Sequence, residues 1–141
     1  MVVGCRKSVL GTGREGAAAV EFALVGPILI LVLIGMVVYG GWFWMAQSVQ
    51  SLASEAARAA VAGLDAEERE MLARGRVARD VEVQSALDPD LTTVEVEAAD
   101  DGVTVVVRYD AREHPIMLLG GMLPMPPAII ERSAVIKAGG Y

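Results

Sequence analysis

Cysteine and histidine are almost missing from this chain of 141 residues: Cys5 and His114 are the only ones. A single cysteine excludes an internal disulfide, and a single histidine excludes a multi-histidine metal site. Charge is missing from a long central stretch. Between Glu21 and Glu55 lie 33 residues without Asp, Glu, Lys or Arg, and no basic residue occurs between Arg14 and Arg58. An excess of basic residues is lacking as well, since the net charge is −6. Residues 1–16 carry Arg6, Lys7 and Arg14 against Glu15, so the remainder holds −8. An acidic body of this kind argues against nucleic acid as a partner, because phosphate binding needs clustered Lys and Arg. The nearest cluster, Arg74, Arg76 and Arg79, is interleaved with Glu70, Asp80 and Glu82 and reads as a solvated helix face.

What is present is apolar: 54% of the residues are hydrophobic and the mean hydropathy is +0.47. From Phe22 to Met45 the chain is dominated by Leu, Ile, Val and Gly. As a helix that segment is about 36 Å long at 1.5 Å per residue, sufficient for a hydrocarbon core of about 30 Å. The basic residues precede it, so the positive-inside rule predicts a cytoplasmic N-terminus and an exported C-terminal part. Tyr39, Trp42, Phe43 and Trp44 fall at the outer end, where amphipathic rings favour the interface. About ninety residues remain for a domain, near the lower limit for a self-standing core.

Three N-terminal patterns are deceptive. A secretory signal has a shorter apolar core followed by small residues, whereas Ala17, Ala18 and Ala19 come before this one. Val2-Val3-Gly4-Cys5 resembles a lipoprotein box but lacks a preceding apolar segment. Gly11, Gly13 and Gly16 spell a dinucleotide fingerprint without the strand–helix context that gives it meaning.

Beyond the span, Ala46, Val49, Ala53, Ala56 and Ala60 recur every three or four residues and predict a helix with a stripe of small side chains. A helix from Ala17 to Ala62 is about 69 Å long. Gly63 and Asp65 break it, and Asp65 with Glu68 forms the signature of a capping box for a second helix. Glu70–Arg74 and Arg76–Asp80 support that helix as i,i+4 pairs. Gly75 weakens its middle, so its firm part ends near Arg74, with a possible extension to Ala86. Asp88-Pro89-Asp90 is a turn. The period then changes to two: Val94, Val96 and Ala98, then Val103, Val105, Val107 and Tyr109, flank Asp100-Asp101-Gly102 and predict a β-hairpin. A third strand is expected at Arg132–Ala138, with Ala134 and Ile136 on one face. His114 to Pro127, rich in Pro, Gly and Met, reads as an irregular apolar loop with a helical turn at Ile116–Leu119. A hairpin alone is marginal, so the sheet is expected to pack on the long helix. The fold class is α+β: a long N-terminal transmembrane helix continuing into a small domain with a second helix and a three-stranded antiparallel sheet. The expected divisions are 1–16, a basic leader; 17–45, the span; 46–63, its extension; and 64–141, the exported domain.

Glu21 stands at the cytoplasmic edge of the span. A carboxylate at the centre of a membrane helix costs roughly 2.5–3.5 kcal/mol, and less near the interface. Two readings of it stand: an interfacial residue reaching for water, or an assembly contact. The stretch Arg14-Glu15-Gly16-Ala17-Ala18-Ala19-Val20-Glu21-Phe22-Ala23-Leu24-Val25-Gly26-Pro27 resembles the N-terminal signature of the TadE-like family, pilin-like proteins of the tight-adherence (Tad/Flp) pilus system. The close likeness covers about 25 residues. At Val37-Val38-Tyr39-Gly40 the chain departs from relatives that carry an acidic residue before the glycine.

The resemblance implies a pilin-like fold and cleavage by a prepilin peptidase between Gly16 and Ala17. Glu21, with Phe22, would then meet other pilin-like subunits, Glu21 pairing with the Ala17 amine of a neighbour. It also implies an inner-membrane assembly platform as partner, beside the lipid bilayer itself. The expected location is the bacterial inner membrane, with the domain periplasmic or carried into a pilus. Its length suits a minor subunit. The alternative is an unprocessed single-pass scaffold of the same machinery. Pro27 lacks an N–H and reads equally as a hinge or as a tolerated membrane proline. No cofactor, metal site or enzymatic activity is expected: Asp88, Asp90, Asp100 and Asp101 suit turns, and His114 lacks a nucleophile partner.

Overall fold

The structure, a computed structural model, describes residues 13–83, 87–99, 102–121 and 123–137. Cys5, Arg6 and Lys7 of the leader, Ala86, Asp100 and Asp101 of the hairpin turn, and Ala138 lie outside the described residues.

Helix α1 runs from Gly13 to Ala60, uninterrupted by Pro27. The chain divides after Ile34 into two compact units. In the first, α1 is apolar and almost wholly exposed, from Val20 and Phe22 to Leu33.

In the second unit, α1 presents the predicted small-residue stripe to a core. Met45, Ala46, Val49, Leu52, Ala53, Ala56, Ala57 and Ala60 are buried together with Ala73, Val77 and Val81 of α2 (Ala66–Val83). The sheet contributes Val103, Val105, Val107, Tyr109 and Ile130 to the same cluster. Methyl-sized side chains let backbones approach closely, which is the physical sense of an alanine stripe at a helix contact.

The corner between the helices is tightly bonded. Glu68 N–H donates to Asp65 Oδ1 at 2.8 Å, and Leu64 N–H donates to Glu68 Oε2 at 2.8 Å. The box is thus formed with its return bond one residue ahead of the cap. Arg69 Nε donates to the Gly63 carbonyl at 3.1 Å. A β-carbon on Gly63 would lie 2.7 Å from the Arg69 nitrogen, so only glycine permits this turn. Both i,i+4 pairs form, Arg74–Glu70 at 2.8 Å and Arg76–Asp80 at 2.7 Å. Helix α2 passes through Gly75 to Val83 because Ala73, Val77 and Val81 anchor one face. Their burial outweighs a glycine penalty of about 1 kcal/mol.

Strands β1 (Thr92–Ala99), β2 (Gly102–Asp110) and β3 (Ile129–Lys137) form one antiparallel sheet in that order. The register pairs Val96 with Val105 and Val105 with Ala134 on the inner face. On the outer face it sets Thr93, Arg108 and Glu131 in one row, and Arg108 bonds both Glu95 and Glu131. Strand β3 begins three residues before the predicted Arg132, since Ile130 pairs with Tyr109 and is buried. The helical turn expected at Ile116–Leu119 is a longer 3-10 helix, Pro115–Gly121.

Ala56 is fully buried beneath the sheet and α2. Ala56→Leu is expected to destabilise the chain by about 1–3 kcal/mol through overpacking. Ser51→Ala, on the exposed face, should stay within about 0.5 kcal/mol. Thermal unfolding of the full chain in micelles, followed by tryptophan fluorescence, checks both.

Candidate functional site

Gly16 and Ala17 lie in the first turns of α1, both exposed. The bond between them is therefore within a helix, although Gly13 and Gly16 make this end a weak one, each glycine losing about 1 kcal/mol relative to alanine. Ala17 and Glu21 are four residues apart and share a face, one turn from each other. Phe22 stands beside Glu21 and turns back over Gly26, its ring 3.8 Å from where a β-carbon would be. Glu21 and Phe22 are exposed, and among the described residues no ion pair engages Glu21. The four residues are thus grouped on the exposed start of one helix. At Pro27 the ring nitrogen cannot donate, so the Ala23 carbonyl loses its usual i+4 partner.

A second constellation, which periodicity does not reveal, binds β3 and the loop before it to α1. Tyr39 Oη donates to the Pro124 carbonyl at 2.7 Å, Trp42 Nε1 to Pro127 at 2.9 Å, and Gln50 Nε2 to Ser133 at 3.3 Å. Three donors spaced along α1 thereby hold three carbonyls of one segment in the same order. The polar tips on two of the interfacial aromatics were the available signal. Phe43 and Trp44 remain outward, while the Arg132 guanidinium lies 6.0 Å from the Trp42 ring centre, within reach of a cation–π contact.

The polar residues that suggest catalysis are occupied structurally. Asp88 Oδ1 accepts from Asp90 N–H at 2.9 Å and caps a 3-10 turn, Pro89–Leu91. His114 Nδ1 accepts from Ile116 N–H at 3.4 Å. Asp88, Glu113 and His114 line an open cleft of about 730 Å³ with Trp44 and Tyr109. Burial pushes the Tyr109 phenol up. Among the described residues no group of three His, Cys, Asp or Glu is placed to hold a metal ion.

Among the described residues one helix, within Gly16–Ala60, is long and apolar enough to cross a membrane. Only 6% of its most apolar window is buried, where the core helix of a soluble protein is mostly enclosed. Together with the α+β domain, this is consistent with a single-pass membrane protein. Residues 16–58 match the family model for TadE-like proteins. The match bears out the likeness read from residues 14–27 and covers α1 from Gly16 to Arg58, stopping before α2 and the sheet. No curated protein and no solved structure gives a match.

At the base of the apolar loop, Arg112 holds the Asp110 carboxyl at about 2, first through its side-chain hydrogen bonds and then through its backbone N–H. A lowered carboxylate pKa contributes stability above the ordinary value near 4 that is lost as pH falls through about 2. Arg112→Ala should raise the Asp110 titration toward the ordinary carboxylate range, the backbone N–H at position 112 still holding it below, read from its side-chain carbon shift by NMR. Trp42→Phe removes the donor to Pro127 and should lower stability by about 1 kcal/mol, seen in the same unfolding measurement as above.

Proposed function

We propose that this chain is a pilin-like minor subunit or assembly factor of a Tad/Flp-type pilus, processed by a prepilin peptidase between Gly16 and Ala17. The observation that carries the reading is the family match itself, which begins at Gly16, beside the proposed cut, and extends along α1. Members of that family work with other Tad pilus components, so pilin-like subunits and an inner-membrane platform are the partners proposed here. The basic residues before the span support a cytoplasmic N-terminus and a periplasmic domain. The reading assigns no catalytic role to any side chain.

Cleavage would remove three basic residues and give Ala17 a free amine one turn from Glu21. In a bundle of such helices an unpaired carboxylate is costly. Pairing Glu21 with the Ala17 amine of a neighbouring subunit would fix their register, and Phe22 would lie at the same contact. A second reading is favoured by one observation. The proposed scissile bond is helical, and a protease must unwind it before the backbone can enter an extended active-site groove. An unprocessed single-pass scaffold of the secretion machinery would need no such step.

N-terminal sequencing and intact mass, from cells with and without the peptidase, separate the two. A peptidase-dependent start at Ala17 is expected; an intact leader in both strains overturns processing in favour of the scaffold. Glu21→Ala is expected to abolish incorporation into pili without changing domain folding, and normal assembly by that variant would overturn the proposed pairing.

A further inference from the structure

From Pro115 to Ile130 the chain contains sixteen consecutive residues that are all apolar, glycine or proline. Charged side chains stop abruptly at both ends, with Asp110, Arg112 and Glu113 before the run and Glu131 and Arg132 after it. A surface loop in water ordinarily carries polar side chains, so this composition calls for a physical cause.

Part of the backbone of the run is already satisfied without water. Pro115, Pro124, Pro126 and Pro127 have no N–H to satisfy. The 3-10 helix Pro115–Gly121 occupies further groups internally. The carbonyls of Pro124 and Pro127 take the Tyr39 hydroxyl and the Trp42 indole. Non-helical backbone at membrane depth has to be satisfied by protein, and these bonds do so for those two carbonyls.

The position along α1 supplies the second argument. Leu123 lies 3.8 Å from the β-carbon position of Gly35, and Ile116 lies 3.6 Å from that of Gly41. If the hydrocarbon begins at Phe22, just after Glu21, about twenty helical residues cross about 30 Å and bring the outer boundary to the neighbourhood of Gly41. The Leu123 contact is then about 9 Å inside that boundary, six residues back along the helix. Leu118, at 86% exposed, has no protein neighbour to cover it.

We propose that the lobe formed by residues 115–121 and 123–126 is immersed in the outer leaflet of the bilayer, lying against α1 as a second, non-spanning membrane element. Its partner is the acyl-chain region of the lipid, with Trp42 and Arg132 at headgroup level. This inference rests on α1 being a membrane span. It makes the domain a body seated in the membrane face instead of one held clear of it.

The test is spin-label depth measurement on the full chain in phosphatidylcholine vesicles at a low protein-to-lipid ratio. Cys5→Ser removes the native thiol, and single labels are placed by Leu29→Cys, Leu118→Cys and Glu97→Cys. Position 97, on the exposed face of β1, reports water, and position 29 reports the span. Labels at 29 and 118 are expected to relax more with oxygen than with a water-soluble nickel chelate, with the reverse at 97. A label at 118 that behaves like 97, while 29 remains in lipid, overturns the lobe and leaves the span standing. Water access at 29 overturns both. A label at 118 reached by neither reagent indicates burial against protein and also overturns the proposal.

Discussion

The contact on which the domain depends is the burial of one face of α1 between Met45 and Ala60 by the sheet and α2. The sheet has three strands and α2 has a mostly polar surface, so neither supplies a core of its own. Four alanines of α1, Ala53, Ala56, Ala57 and Ala60, are fully buried at that surface, beside Val49 and Leu52. Larger residues around them, chiefly the valines of β2 and Tyr109, fill the space that the small side chains leave. Small helix residues against β-branched strand residues is a complementary arrangement, and changing the volume on either side is felt because protein interiors are close-packed.

The same helix therefore works in two surroundings. Before Ile34 its large aliphatic side chains are exposed in every direction, a surface that water does not favour and lipid does. After Met45 its composition shifts to Ala, Ser, Gln and Glu, and only one face is apolar. Between these regimes, Tyr39 and Trp42 combine apolar rings with polar tips that reach loop carbonyls. The edges of the sheet are handled in a related way. Arg74 donates to the Val94 carbonyl on β1 at 2.9 Å, and Gln50 donates to Ser133 on β3 at 3.3 Å. These side chains supply bonds that a further strand would otherwise make, and an edge so covered is a poor template for unwanted pairing.

The N-terminal residues proposed above for processing and assembly differ from this framework in having no tertiary contacts, among the described residues, to shape them. Ala17, Glu21 and Phe22 are placed by helical spacing alone. That is why their grouping was legible without a structure: i and i+4 share a face in any helix. It is also why the role proposed for them needs a second molecule to supply the contacts that this helix end lacks.

Several features were determined by sequence alone because each rests on local physics. The uncharged run announced the apolar helix, Asp65 and Glu68 announced the start of α2, and alternation from Val94 to Tyr109 announced the hairpin, which closes to its last described pair, Ala99 with Gly102. The tertiary structure decided what local rules leave open. It carried α2 through Gly75, where buried Val77 and Val81 outweigh a weak helix former, and it started β3 at Ile129, where pairing with β2 extends a strand that composition would have shortened. It also laid the Pro- and Met-rich run along Gly35 to Trp42, a contact between residues more than seventy positions apart. Periodicity reports which face of an element is apolar, but not what covers it, and that choice is made only when distant segments meet.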